Sequence, residues 1–136
     1  MPSSTSASTR FLNPPAIAKP GGYSHVVEVV GPGRIVYTAG QLGLRPDGTF
    51  ADGFVAQAEQ AFLNLKAALE AVGATFDDVI KLNNYLIDIE RNLGGYREVR
   101  DRFVNTARPP ASTTVGVAAL ARRDALFEVE AVAMLK

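Results

Sequence analysis

The sequence PASTTVGVAALARRDALFEVEAVA, at residues 110–133, decides the fold of this chain more than any other stretch. Two apolar runs flank the charged segment at residues 122–124, which predicts two β-strands joined by a short loop. Glu128 and Glu130 are two residues apart in the second strand, so their side chains share one face at roughly 7 Å from each other. The apolar residues that alternate with them face the other way, toward a predicted core.

This pair of carboxylates has two interpretations. Like charges in a partly buried cleft raise the pKa of at least one group, which suits general acid–base chemistry. Alternatively, Glu128 and Glu130 belong to a solvated strand face or form ion pairs between subunits. The two residues alone favour this second, structural interpretation.

The rest of the chain predicts two helices and three further strands. Residues 54–72 carry apolar side chains at spacings of three and four, which is typical of an amphipathic helix. Residues 93–104 predict a second helix, and residues 79–87 predict a strand that is apolar on both faces. Residues 25–30 and 34–39 are β-rich runs separated by Gly-Pro-Gly, which predicts a hairpin.

The order β-β-α-β-α-β-β predicts an α+β fold, with an antiparallel-rich sheet of about six strands and both helices on one face. The opposite sheet face then needs a cover. Because the strand at residues 79–87 is apolar on both sides, we expect another subunit to provide it.

Composition indicates one ordinary globular domain. The chain has 136 residues, and its nine N-terminal residues are small and polar, so we expect a disordered tail at residues 1–9 and a single domain at residues 10–136. The N-terminus lacks the basic start and apolar run of a secretory signal, which favours a cytoplasmic protein. No apolar run approaches the roughly 18 residues of a membrane span, so no membrane partner is expected.

Charge and side-chain chemistry exclude further classes. Fourteen basic residues balance fourteen acidic ones, which gives no overall field for nucleic acid binding. The chain has no cysteine and one histidine, His25, so neither a thiolate nor a histidine-rich metal site can form. We therefore expect no metal and no cofactor.

Three motifs carry a family resemblance: Gly22-Tyr23-Ser24, Thr38-Ala39-Gly40-Gln41 and the pattern of residues 110–133. Together they resemble the RidA family (also called YjgF/YER057c/UK114), small trimeric proteins that hydrolyse reactive enamines and imines. The similarity extends from about residue 23 to the C-terminus. It implies a chorismate-mutase-like fold, a homotrimer and a small-molecule ligand in clefts between subunits, without metal or organic cofactor.

The resemblance also implies roles for single residues. Glu128 matches the glutamate that positions the attacking water in deaminating members, and Tyr23 matches a tyrosine that lines the cleft. Ala39 stands where the family's S-G-Q motif has serine. Ser112 stands where the deaminating members have an arginine that holds the substrate carboxylate. A serine cannot make the two parallel hydrogen bonds by which a guanidinium binds a carboxylate, so we expect an altered substrate.

Arg100 is a candidate replacement for that arginine. It has no acidic residue three or four positions away on the predicted helix, whereas Arg97 can pair with Asp101 and Arg102 with Glu98. It also lies at the edge of the apolar stripe. We expect Arg100 either to contact the anionic ligand or to form a structural ion pair, for example with Glu128 or Glu130.

Three functions follow for comparison. The first is a deaminase-type hydrolase of a small enamine or imine, with Glu128 as its catalytic residue and Tyr23, Ser112, Arg100 and Ala39 as substrate contacts. The second is a trimer that binds a metabolite or partner protein without turnover. The third, an endoribonuclease, gains nothing from the sequence, because the loop at residues 122–124 has no aromatic neighbours for stacking.

Overall fold

The computed structural model describes residues 8–136. The predicted α+β class is confirmed, since two helices pack on a mixed sheet. A short 3₁₀ turn at Phe76–Asp78 leads into the central strands and is capped by the side chain of Thr75. The elements are β1 (Ser8–Leu12), β2 (Val26–Val30), β3 (Arg34–Tyr37), β4 (Gln41–Leu42), α1 (Phe54–Glu70), β5 (Val79–Leu86), α2 (Ile89–Phe103), β6 (Ala111–Gly116) and β7 (Phe127–Leu135).

The strands form two sheets instead of one sheet of about six strands. The main sheet has five strands in the order β3-β7-β5-β6, with β4 also on β7, and β1 pairs with β2 in a separate two-stranded sheet. Strand β7 is antiparallel to its neighbours, and β5 and β6 are parallel because the chain crosses over through α2. The two strands of residues 110–133 are therefore not neighbours, since β5 lies between them.

The predicted hairpin of residues 25–30 and 34–39 is wrong. Strand β2 pairs with β1, from Ser8 opposite Val30 to Leu12 opposite Val26, whereas β3 pairs with β7. The β1 strand offers β2 a full five-residue ladder and an ion pair between Arg10 and Glu28, 2.6 Å apart. The expected tail is accordingly shortened, because its residues 8 and 9 belong to β1; residues 1–7 of that tail lie outside the described residues.

The core lies between the helices and one face of the sheet. Every second residue of β7, starting at Phe127, is buried on this side, as the alternation predicts. Phe62 of α1 is fully buried, with its ring centroid 5.2 Å from that of Phe103 and 5.8 Å from that of Phe127. This aromatic stack joins both helices to the centre of the sheet.

The opposite face of the main sheet is open in the single chain. Ile35 and Tyr37 of β3 are 52% and 72% exposed and lie beside Met134 and Val132 of β7. Farther along the same face of β7 come the two glutamates. The face is therefore apolar at one end and acidic at the other. No helix within residues 8–136 combines the length and apolar character that crossing a membrane requires.

Candidate functional site

The candidate site residues fall into two groups on opposite faces of the main sheet. Ser112 is paired with Leu82, which is paired with buried Ala131, so Ser112 lies on the helix-facing side. Glu128 is paired with Tyr85 and lies on the open side. A single chain thus does not bring the predicted catalytic residue to the predicted substrate contacts.

The first group surrounds a cavity between α2 and β6. We call it the anchor pocket. It has a volume of about 250 Å³. It contains three of the predicted ligand contacts, Tyr23, Arg100 and Ser112, which are far apart in sequence. The full lining is Gly21, Tyr23, Leu93, Tyr96, Arg97, Arg100, Ser112 and Thr114.

Arg100 is the charged centre of this pocket. Its side chain is buried, and the residue is only 7% exposed, with the guanidinium carbon 5.6 Å from the centroid of the Tyr96 ring. A Cβ atom at Gly22 would overlap the guanidinium, and Gly22 has a φ of 83°, so both space and backbone require glycine there. Gly22 thus makes room for Arg100.

The expected ion pairs of α2 need a correction. Asp101 pairs with Arg100 instead of Arg97, because the buried guanidinium needs a counter-charge; Nε donates to Oδ1 of Asp101 at 2.9 Å. The expected pair of Arg102 with Glu98 is present at 3.8 Å. Among residues 8–136, the two Nη nitrogens of Arg100 donate to no protein acceptor, so both Nη groups are available to a ligand.

The buried amide of Asn84 contacts residues that line the anchor pocket. The sequence assigned no functional role to this residue. Asn84 is 1% exposed, and its Nδ2 donates to Ser112 Oγ at 3.0 Å, to Thr113 O at 3.0 Å and to Thr114 Oγ1 at 3.2 Å. The sequence signal was the pair of asparagines inside an otherwise apolar strand. The parallel register of β5 and β6, which periodicity does not reveal, is what brings Asn84 to Ser112 and Thr114.

Tyr96 is a second pocket residue to which the sequence assigned no functional role. It is 1% exposed and lines the pocket, yet its hydroxyl has no hydrogen-bond partner within residues 8–136. Burial raises the pKa of the Tyr96 phenol above its ordinary value, although the neighbouring side chains of Thr114, Ser112 and Arg100 oppose the shift, so the group keeps its proton.

The second group is the carboxylate cluster on the open face, formed by Asn83, Tyr85, Glu128 and Glu130. Asn83 Nδ2 donates to Glu130 Oε2 at 3.2 Å. Partial burial, followed by the charge of Glu130, raises the pKa of the Glu128 carboxyl above its ordinary value. Burial and the two glutamate charges also raise the pKa of Tyr85. Both glutamates lie on one face of β7, as their spacing predicts.

The segment Thr38-Ala39-Gly40 lies against this cluster. Thr38 is fixed to β7, because its N–H donates to Ala131 O at 3.0 Å and its Oγ1 accepts from Ala131 N at 3.0 Å. A Cβ atom at Gly40 would overlap Oε2 of Glu128, so the glycine allows the backbone to approach the carboxylate closely. Ala39, the residue before Gly40, does not line the anchor pocket.

A larger cavity of about 760 Å³ contains none of the predicted site residues. It lies near the loop at residues 122–124, where the Arg122 guanidinium is 5.5 Å from the ring centroid of Phe50, an aromatic neighbour that the sequence did not reveal. We place the candidate site in the smaller anchor pocket, because a buried guanidinium and an unpartnered phenol indicate a polar ligand.

Comparison with known proteins identifies the family to which this fold belongs. Residues 14–135 match the family model described as Endoribonuclease L-PSP. The structure superimposes on RidA from the Antarctic bacterium Psychrobacter sp. PAMC 21119 with a TM-score of 0.71 and 37% sequence identity, covering 87% of this chain and 92% of that one. The chain belongs to the RidA family.

Other RidA-family proteins agree with this assignment. The Rid family protein YyfB from Yersinia pestis gives a TM-score of 0.81 at 33% identity, over 93% of this chain and 98% of that chain. A 2-iminobutanoate/2-iminopropanoate deaminase of Dermatophagoides farinae is 33% identical over 132 residues, which are 93% of this chain and 97% of the mite protein. The RidA-like fold expected from the sequence motifs is confirmed.

Proposed function

We propose that this RidA-family chain hydrolyses the C=N bond of a small imine or enamine that carries a carboxylate, in a site completed by two copies of the chain. The observation that carries the proposal is the buried guanidinium of Arg100, which lies in one pocket with Ser112 and has no protein acceptor on its Nη nitrogens within residues 8–136. The name of the mite relative supports the reaction class.

Arg100 is the proposed anion anchor. Its two Nη nitrogens can donate two parallel hydrogen bonds to one carboxylate, an arrangement that Ser112 cannot offer. Hydrogen bonds to charged groups contribute roughly 1.5–3 kcal/mol each. Ser112 and Tyr23 then complete the contacts to the substrate. Because the anchor comes from a helix instead of β6, the substrate is held differently from that of an enzyme with arginine at position 112.

Glu128 is the proposed catalytic residue. It orients a water molecule and takes one proton as the water oxygen attacks the imine carbon. The same proton is passed to the imine nitrogen, which gives a carbinolamine. The second proton of the former water then moves from its oxygen to the nitrogen through Glu128, the C–N bond breaks, and ammonia leaves while the carbon becomes a carbonyl. A carboxyl with a raised pKa suits both steps, and the reaction uses only water and proton transfer, so we propose no metal or cofactor.

The partner copy is needed because Glu128 and the anchor pocket lie on opposite faces of the sheet. We propose a homotrimer in which the carboxylate cluster and Ala39 of one subunit approach the anchor pocket of the next. The exposed Ile35 and Tyr37 support burial of the open face, and an interface between two different surfaces closes naturally into a ring.

The test is the release of ammonia and pyruvate from freshly generated 2-aminoacrylate, the enamine form of 2-iminopropanoate. We expect the protein to accelerate release above the spontaneous rate, and Arg100→Ala to raise KM on the order of 10²-fold. Arg102→Ala is the matched control, because Arg102 is on the same helix but is exposed and paired with Glu59. Arg100→Lys keeps the charge without the fork and should give an intermediate KM.

Two results would contradict the proposal. Folded wild-type protein without any acceleration would remove the hydrolase and leave the binding trimer as the function. Equal KM values for Arg100→Ala and Arg102→Ala would remove Arg100 as the anchor, even if the protein is active.

A further inference from the structure

Asn84 is a polar residue where a core position is expected. It lies on the helix-facing side of the central strand β5 between fully buried Leu82 and Leu86. Its Oδ1 is buried and has no hydrogen-bond partner within the described part of the chain. An unpaired buried acceptor destabilises the folded state, and an aliphatic side chain would avoid this cost. Such a cost is typical of a functional position.

We propose that Asn84 is a positioning residue that turns the anchor pocket into a site offering only hydrogen-bond donors to a small carboxylate. This inference rests on the proposed function, because it concerns how the same site recognises its anion.

The orientation of the Asn84 amide is set by the backbone. The carbonyl oxygen of Thr113 can only accept a hydrogen bond, so the group that faces it at 3.0 Å must be the NH₂ end of the amide. The same nitrogen donates to Ser112 Oγ and Thr114 Oγ1, which lie on either side of Thr113. The NH₂ group has two protons, so with one on Thr113 O the other is shared between the two hydroxyl oxygens, which face Asn84 as acceptors.

This arrangement decides where the hydroxyl protons go. A hydroxyl group has one proton, and when its oxygen accepts from Asn84 the proton is free to point elsewhere. Ser112 and Thr114 both line the anchor pocket, so their protons are available to a ligand there. Without Asn84 the same hydroxyls could turn and donate to Thr113 O, and they would then present lone pairs that repel an anion.

The other polar groups of the pocket have the same polarity. The Arg100 guanidinium and the protonated Tyr96 phenol are donors, and no carboxylate of residues 8–136 lines the cavity. A small carboxylate would thus accept hydrogen bonds from the polar groups of the pocket. A neutral amide of the same shape carries an NH₂ group, and the pocket offers that group no acceptor.

The test is a binding titration with 2-oxobutanoate, using 2-oxobutanamide as the neutral match. Asn84→Ala is compared in two backgrounds, wild type and the double variant Ser112→Ala/Thr114→Val. We expect Asn84→Ala to weaken 2-oxobutanoate binding about 10-fold in the wild-type background and not at all in the double variant. The affinity for 2-oxobutanamide should be low in the wild type and should not fall in Asn84→Ala, because hydroxyls that present lone pairs can accept from its NH₂ group.

A purely structural role would give a different pattern. Asn84→Ala would then lower Tm and weaken 2-oxobutanoate binding by the same factor in both backgrounds, which would overturn the inference. Wild-type protein that does not bind 2-oxobutanoate would overturn it as well. Protein that binds 2-oxobutanoate through Asn84 but releases no ammonia from 2-aminoacrylate would overturn only the proposed function.

Asn84→Asp serves if the alanine variant does not fold. The aspartate has nearly the same shape but can only accept, so it would take the hydroxyl protons of Ser112 and Thr114 and add a negative charge beneath the pocket. We expect at least about 100-fold weaker 2-oxobutanoate binding. An aspartate variant that binds as tightly as the wild type would contradict the inference.

Discussion

At the scale of single residues, Arg100 and Ser112 illustrate what local patterns can and cannot reveal. The lack of an acid three or four residues from Arg100 pointed to a special environment, and Arg100 is indeed buried in the pocket that contains Ser112. Its bond to the adjacent Asp101 was missed, because helix rules consider neighbours one turn away. The sequence assigns no role to Asn84, since its partners come from a strand 28 or more residues away.

The shared pocket leads to a swap experiment. Ser112→Arg alone should place two guanidinium groups in one small pocket, which costs stability through like-charge repulsion. In an Arg100→Ala background the same substitution should restore much of kcat/KM on 2-aminoacrylate, because one anchor then replaces the other. Steady-state kinetics of the four proteins checks this. A double variant no better than Arg100→Ala would mean that the two positions do not serve one ligand group.

Glu128 gives a prediction with a defined pH dependence. Its carboxyl has a raised pKa in the folded state, so the ionised form is disfavoured by folding. Stability is therefore lost as pH rises from the ordinary value of 4.5 through the raised pKa. Glu128→Gln should raise Tm at pH 7–8, leave it unchanged below the ordinary value, and lower kcat by roughly 10²-fold or more.

Thermal unfolding at both pH values, together with kcat, tests Glu128→Gln. Glu70→Gln, which removes an exposed charge at the end of α1, is the control and should change neither quantity. A Glu128→Gln protein that is less stable at neutral pH, with unchanged kcat, would indicate a structural ion pair in place of a catalytic carboxyl.

At the scale of elements, the helices were predicted well and the strand pairing was not. Residues 54–72 and 93–104 correspond to Phe54–Glu70 and Ile89–Phe103, because the period of the apolar stripe is a local property. The hairpin failed because β1 competes for β2, and β7 offers β3 a longer partner. The strand that pairs with β3 lies about 100 positions away in the sequence, so no local pattern reveals it.

The aromatic stack on α1 gives the stability prediction at this scale. Phe62 is fully buried against rings from α2 and β7, whereas the adjacent Leu63 is 43% exposed. Phe62→Ala should lower the free energy of unfolding by about 3–5 kcal/mol, and Leu63→Ala by much less. Urea denaturation measures both. Equal losses would show that α1 is not held to the sheet by this stack.

At the scale of the whole molecule, the two halves of the proposed site lie on opposite faces of one sheet. The anchor pocket is enclosed by α2 and β6, and the carboxylate cluster lies on the open face with the exposed Ile35 and Tyr37. The sequence predicts a cover for this face, but the expectation that residues 79–87 are apolar on both sides is wrong, because the open face of β5 carries Lys81, Asn83 and Tyr85. Which residues meet across the interface depends on the geometry of the assembly, which patterning does not specify.

Subunit mixing tests the composite site most directly. Arg100→Ala and Glu128→Gln homo-oligomers, each with little activity, are mixed in equal amounts, exchanged under mild denaturant and assayed for ammonia release from 2-aminoacrylate. Half of the pockets keep Arg100, and half of those face an intact Glu128, so about a quarter of wild-type activity should return. Mixed oligomers with no more activity than the parent variants would contradict a site shared between two copies of this chain.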